Sequence, residues 1–144
     1  MADLWQHWSF WAAAAAVLAA LTSLLAKVGL EGLPSNLATL LRTLVVGVVL
    51  IVLVLARGEL LPLSALPRRS LIFLFLSGLA TAGSWLCFFR ALQIGPVARV
   101  APIDKFSVVL VALGGVALLG ERLSFAQWLG VVLITVGAAL VAWT

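Results

Sequence analysis

The sequence predicts an all-α integral membrane protein with five transmembrane helices, and three observations carry that expectation. Hydrophobic residues make up 65% of the 144 residues and charged residues only 10%, too little polar surface to cover a soluble globule of this size. The mean hydropathy of +1.26 points the same way. Apolar runs close to the ~20 residues that cross the hydrocarbon of a bilayer recur five times along the chain. They fall at about 10–26, 36–56, 70–90, 97–119 and 125–143, making one transmembrane domain over 1–144.

The first run follows the leader MADLWQHW, which holds an acid, a histidine and two tryptophans but no lysine or arginine, so it is expected to stay as a span and not be cleaved as a signal. The second opens on Leu33-Pro34-Ser35-Asn36, with Ser35 the expected N-cap. The third contains Cys87, the one cysteine of the chain, so no internal disulfide framework exists. The fourth carries RVAPIDKFS, an acid beside a base inside an apolar segment. The fifth follows Gly120-Glu121, where an acid near the start of a helix is expected to act as a cap.

The connections GLEGLPS, QIGP and GERLS are short and punctuated by glycine and proline, as a compact bundle requires. Trp5, Trp8, Trp11, Trp128 and Trp143 sit near span ends, where an amphipathic ring is stable at the headgroup level; Trp85 departs from that pattern. Gly114, Gly115, Gly130 and Gly137 are expected to let neighbouring helices approach closely. Lys27 and Arg90, near span ends, are expected to snorkel toward headgroups.

The formal charge of +4 does not orient the chain. Arg57, Arg68, Arg69 and Arg122 fall on the side of the N-terminus. Lys27, Arg90 and Arg99 fall on the other, with Arg42 and Lys105 deeper in that half. A bias this small favours an inside N-terminus only slightly and leaves insertion in both orientations open. No basic run is long enough to suggest a nucleic-acid partner. No nucleophile–base constellation or metal-ligand cluster suggests an enzyme, and no ring of like charges suggests a pore.

Charges inside a span cost about 2.5 to 3.5 kcal/mol on insertion scales, so Arg42, Asp104 and Lys105 need a reason to be there. A rise of about 1.5 Å per residue puts Arg42 roughly 9 Å into span two, and the Asp104-Lys105 pair roughly 10 to 12 Å into span four. Both spans start from the same side, so all three charges share one half of the bilayer. Consecutive side chains on a helix point about 100° apart, so Asp104 and Lys105 are expected to seek partners on other helices, with Arg42 the candidate for Asp104. One net positive charge then remains, which favours a ligand bearing a carboxylate or another anionic group. Pro102 removes a backbone donor beside the charges, a device that recurs in the interrupted helices of secondary transporters. Ser77, Thr81, Ser84 and Trp85 follow one face of span three. With Asn36 and Thr39 of span two, they either line a polar cavity or bind helices together.

The stretches LLAKVGLEGLPSNLATLLRT, LSGLATAGSWLCFFRAL, VAPIDKFSVVL and LGERLSFAQWLGVVLITVGA resemble the five-span bacterial and archaeal members of the EamA domain family, in the drug/metabolite transporter superfamily. The resemblance implies a bundle equivalent to one half of the ten-span members, whose halves are related by inverted topology. It implies a multi-pass protein of the bacterial cytoplasmic membrane that pairs with itself, an antiparallel homodimer being favoured. It further implies export or exchange of small metabolites or drugs by alternating access, often proton-coupled, with no cofactor. On that likeness Asn36, Thr39, Arg42, Ser77, Thr81, Trp85, Asp104, Lys105 and Ser107 occupy the polar positions of the group. The leading expectation is a secondary transporter in which Asp104 titrates. The alternative is a structural or accessory membrane protein whose buried charges make assembly contacts.

Overall fold

The computed structural model describes residues 7–62 and 65–143; Trp5 and the rest of the leader before His7 lie outside the described residues. Among these residues the chain forms α1 (Trp8–Gly29), α2 (Ser35–Arg57), α3 (Arg68–Ile94), α4 (Val97–Asp104), α5 (Ser107–Leu119) and α6 (Phe125–Trp143). Five helical stretches are long and apolar enough to cross a membrane, α4 and α5 together making the fourth. The five expected spans are therefore present, the first and third ending three and four residues later than expected.

Helix starts follow proline. Pro34 precedes α2 and Pro96 precedes α4, both with extended backbone (φ −62°, ψ 135° and φ −71°, ψ 139°), and Pro67 precedes α3, its carbonyl taking the Leu71 N–H at 3.1 Å. Proline has no N–H to leave unsatisfied in a first turn and disfavours helical backbone in the residue before it. This corrects the expectation for Ser35, which is the first helical residue, with Pro34 in the capping position and no side-chain cap.

The stops follow glycine. Gly58 at φ 66° ends α2, with its N–H on the Leu55 carbonyl and that of Glu59 on Val54, the paired closure of a Schellman motif. Gly120 at φ 71° ends α5. The expected role of Glu121 is corrected too: its N–H closes on the Gly115 carbonyl at 3.0 Å, and its carboxylate folds back over Gly115. The start of α6 is capped instead by Ser124 and Gln127, whose side chains each accept the other's backbone N–H, at 2.6 and 3.3 Å.

The chain separates into two compact units, residues 1–27 with 94–144, and residues 28–93. In the first, α6 packs against α4 and α5. Its inner stripe is Trp128, Val131, Thr135, Ala138 and Ala142, at the three- and four-residue spacing of one helix face. Phe106 meets Trp143 with ring centroids 6.0 Å apart, and Lys27 Nζ donates to the Gly95 carbonyl at 2.9 Å. In the second unit α2 turns Ser35, Ala38 and Thr39 inward, while Phe89 and Leu92 of α3 are buried at 2% and 0% exposure.

Large aliphatic side chains such as Leu118 (85% exposed) face outward, while most of the buried positions hold Ala, Gly, Ser or Thr. That inverts a soluble core and suits lipid, where helices meet through small residues and large apolar side chains face hydrocarbon. The glycines do less than expected: a Cβ at Gly114, Gly130 or Gly137 meets nothing within 4 Å, and only Gly115 is crowded, by the Glu121 carboxylate. In thermal unfolding of detergent-purified protein, Gly120→Ala is expected to lose about 1 kcal/mol, because a side chain is strained at positive φ. Gly130→Ala, in open helix interior, is expected to lose none.

Candidate functional site

In the second unit the charged centre is Arg42. It lies on the inner face of α2 that Ser35, Ala38 and Thr39 begin, seven residues from Ser35 and hence on the same side of the helix. Its guanidinium stands over the ring of Trp85 at 4.2 Å from the centroid and over that of Phe89 at 5.2 Å. Trp85 and Phe89 are one turn apart on α3, so two aromatic faces meet one cation. An aromatic face attracts a cation through its quadrupole, worth about 0.5–1 kcal/mol when exposed and ~2 when desolvated. Arg42, expected to seek a carboxylate, is thus held by aromatics, and Trp85 lies away from the headgroups because it serves this role.

The threonine hydroxyls of α2 and α3 point back onto their own helices. Thr39 Oγ1 donates to the Ser35 carbonyl at 2.8 Å, Thr43 Oγ1 to Thr39 at 2.7 Å, and Thr81 Oγ1 to Ser77 at 2.9 Å. Each satisfies its donor locally and leaves the oxygen as an acceptor. Thr39 is buried, whereas Ser77, Thr81 and Ser84 lie on an exposed stretch of α3. Asn36 is also exposed and belongs to a cavity at the start of α2 with Pro34, Ser35, Arg90 and Gln93.

In the first unit the fourth span is broken where its charges lie. Pro102 sits inside α4, Asp104 ends it, and Lys105 and Phe106 separate it from α5. Across the break the N–H groups of Lys105, Phe106, Val108 and Val109 bond carbonyls three residues back, not four, at 3.0–3.1 Å. Ser107 Oγ donates to the Asp104 carbonyl at 2.7 Å and ties the two pieces together. Lys105 Nζ reaches Asp104 Oδ2 at 3.4 Å. The expectation that these neighbours need partners on other helices is therefore corrected: the 100° separation holds for a regular helix, and the helix is not regular here. Both side chains are about half exposed on the protein surface, at 55% for Lys105 and 46% for Asp104.

Phe89 and the Arg90–Gln93 contact went unread in the sequence. Phe89 had a signal, its four-residue spacing from Trp85. Gln93 had none, since its amide bonds the Leu33 carbonyl, 60 residues away, at 2.9 Å.

Five apolar spans, one interrupted at an ion pair and another carrying an arginine held by aromatic rings, define a multi-pass membrane protein with charges inside its spans. The chain belongs to the EamA-like transporter family, which it matches over residues 6–143. It is 52% identical over 108 residues to an "Uncharacterized transporter in cobO 3'region" of Sinorhizobium sp., an alignment covering 75% of this chain and 77% of that one. It is 33% identical over 73 residues to the probable 4-amino-4-deoxy-L-arabinose-phosphoundecaprenol flippase subunit ArnE of Hamiltonella defensa, covering 51% of this chain and 66% of that protein. No solved structure matches. Family and spans together place the chain in the bacterial inner membrane as a multi-pass protein, in contact with lipid and with a small-molecule substrate.

A double-mutant cycle of Arg42→Gln and Trp85→Leu, read by thermal unfolding, is expected to return a coupling of about 1–2 kcal/mol. Thr81→Val, which removes only a bond to its own helix, is expected to change stability by less than about 0.5 kcal/mol.

Proposed function

We propose that the chain is half of a secondary transporter that carries a small anionic solute, such as a carboxylate, by alternating access, and that two copies assemble to complete it. The observation that carries the reading is Arg42. A guanidinium inside a span keeps its full charge when its neighbours are aromatic rings, and an arginine can hold a carboxylate through two charge-assisted hydrogen bonds. Asp104 and Lys105 neutralise each other, so the selecting cation is Arg42 and not Lys105.

The broken fourth span supports alternating access. Interrupted helices place polar groups near the middle of a membrane and supply a hinge between rigid pieces. Asp104, at the break and paired with Lys105 among the described residues, is the group assigned to proton coupling. The near absence of charge bias supports an antiparallel arrangement of the two copies. The ArnE relative is named a flippase subunit, and its name carries a phosphate-linked lipid, which fits both an assembly and an anionic substrate. The role is transport and not catalysis. A second reading has one observation in its favour: the half-exposed Asp104–Lys105 pair also suits an assembly contact with another membrane protein.

The test is a thermal-shift screen of detergent-purified protein against organic acids, nucleosides, polyamines and cationic drugs. An organic acid is expected to raise Tm in the parent and in Lys105→Gln but not in folded Arg42→Gln. Equal responses to anions and cations contradict the substrate class, and a copurifying stoichiometric protein with no ligand response favours the assembly reading.

A further inference from the structure

The cavity at the start of α2 holds a set of groups that the transport reading does not use. It is an open cleft of about 570 Å³ lined by Pro34, Ser35, Asn36, Arg90 and Gln93, within the size of small-molecule sites. Phe89 and Leu92, which flank Arg90 in sequence on α3, are buried at 2% and 0% exposure. Gln93 joins the two sides, its amide nitrogen donating to the Leu33 carbonyl at 2.9 Å and its oxygen accepting from Arg90 Nη1 at 2.7 Å. That bond orients the guanidinium, whose remaining donors are left for another acceptor.

Three further observations point to what the cavity takes. Ser35 is only 7% exposed yet lines it, and its hydroxyl makes no hydrogen bond within the described residues; only its carbonyl is engaged, by Thr39. The first turn of α2 contains no acid and its capping residue is a proline with no side-chain bond, so the leading N–H groups of a 23-residue helix lack a protein acceptor. The lining contains one cation and no carboxylate, and Arg90 has no ion pair among the described residues. Donors of three kinds border one cavity, and among the described residues no carboxylate pairs with the arginine.

We propose that this cavity binds a phosphate group, held between the Arg90 guanidinium, the Ser35 hydroxyl and the first N–H groups of α2. A tetrahedral oxyanion offers an acceptor to each of these donors at once. The site lies at the ends of two spans, within reach of both a lipid headgroup phosphate and a phosphate ester in solution. It is separate from the solute site at Arg42 and does not rest on the transport reading.

The experiment follows Tm of the full chain, purified in a phosphate-free maltoside detergent, during titration with inorganic phosphate and, separately, with short-chain phosphatidylglycerol, each against sodium chloride at matched ionic strength. A saturable rise with inorganic phosphate assigns the site to the free anion, and a rise with phosphatidylglycerol alone assigns it to a headgroup. In either case Arg90→Gln is expected to weaken the apparent affinity at least about tenfold and Ser35→Ala about fivefold, while Arg57→Gln, at the opposite end of α2, keeps the response. No rise beyond the chloride control with either probe, or an unaltered response in Arg90→Gln, overturns the proposal. If Arg90→Gln does not fold, an unaltered response in Ser35→Ala overturns it in the same way.

Discussion

A guanidinium cannot sit inside a hydrocarbon layer without something to replace its water, and the way Arg42 meets that requirement organises the second unit. Two rings one turn apart on α3 take the place of a counter-ion. The arrangement requires α2 to present Arg42 on the same face as Ser35 and Thr39, and α3 to bury Phe89. It also keeps the charge available. A carboxylate would have neutralised the arginine, whereas aromatic faces stabilise it without taking up its hydrogen-bond donors.

The first unit meets the same requirement differently. Asp104 and Lys105 satisfy each other across a place where the helix is interrupted after Pro102 and backbone bonds reach back three residues and not four. Breaking the span is what permits neighbouring side chains to meet. The two intramembrane charge sites thus differ in kind: an ion pair at a helix break, and a cation on two continuous helices.

The spans were legible because run length and mean hydropathy decide them, and the breakpoints because proline and glycine mark them. The polar interior was legible as a set of residues but not as a set of contacts. Reading Asp104 and Lys105 on an ideal helix sent each to a distant partner, although Pro102 two residues earlier already signalled that the ideal geometry fails. Ser35 was read as a cap because serine often is one, yet the preceding proline takes that position and leaves the serine hydroxyl in a cavity wall. Glycines 114, 130 and 137 looked like packing sites, but whether a glycine is crowded depends on which helix lies opposite, and the sequence does not carry that. The Gln93–Leu33 bond is of the same kind: both ends are ordinary residues, and only the fold brings them together.

Arg42, stabilised by aromatic rings, is proposed to select an anionic solute. Counterflow of a labelled organic acid in proteoliposomes tests it most directly, comparing the parent with Arg42→Gln and Arg42→Lys at equal reconstituted protein. The account predicts exchange in the parent, none in Arg42→Gln, and reduced exchange in Arg42→Lys, which keeps the charge but loses the planar fork and the stacking. Exchange at the parent's rate in Arg42→Gln would contradict it.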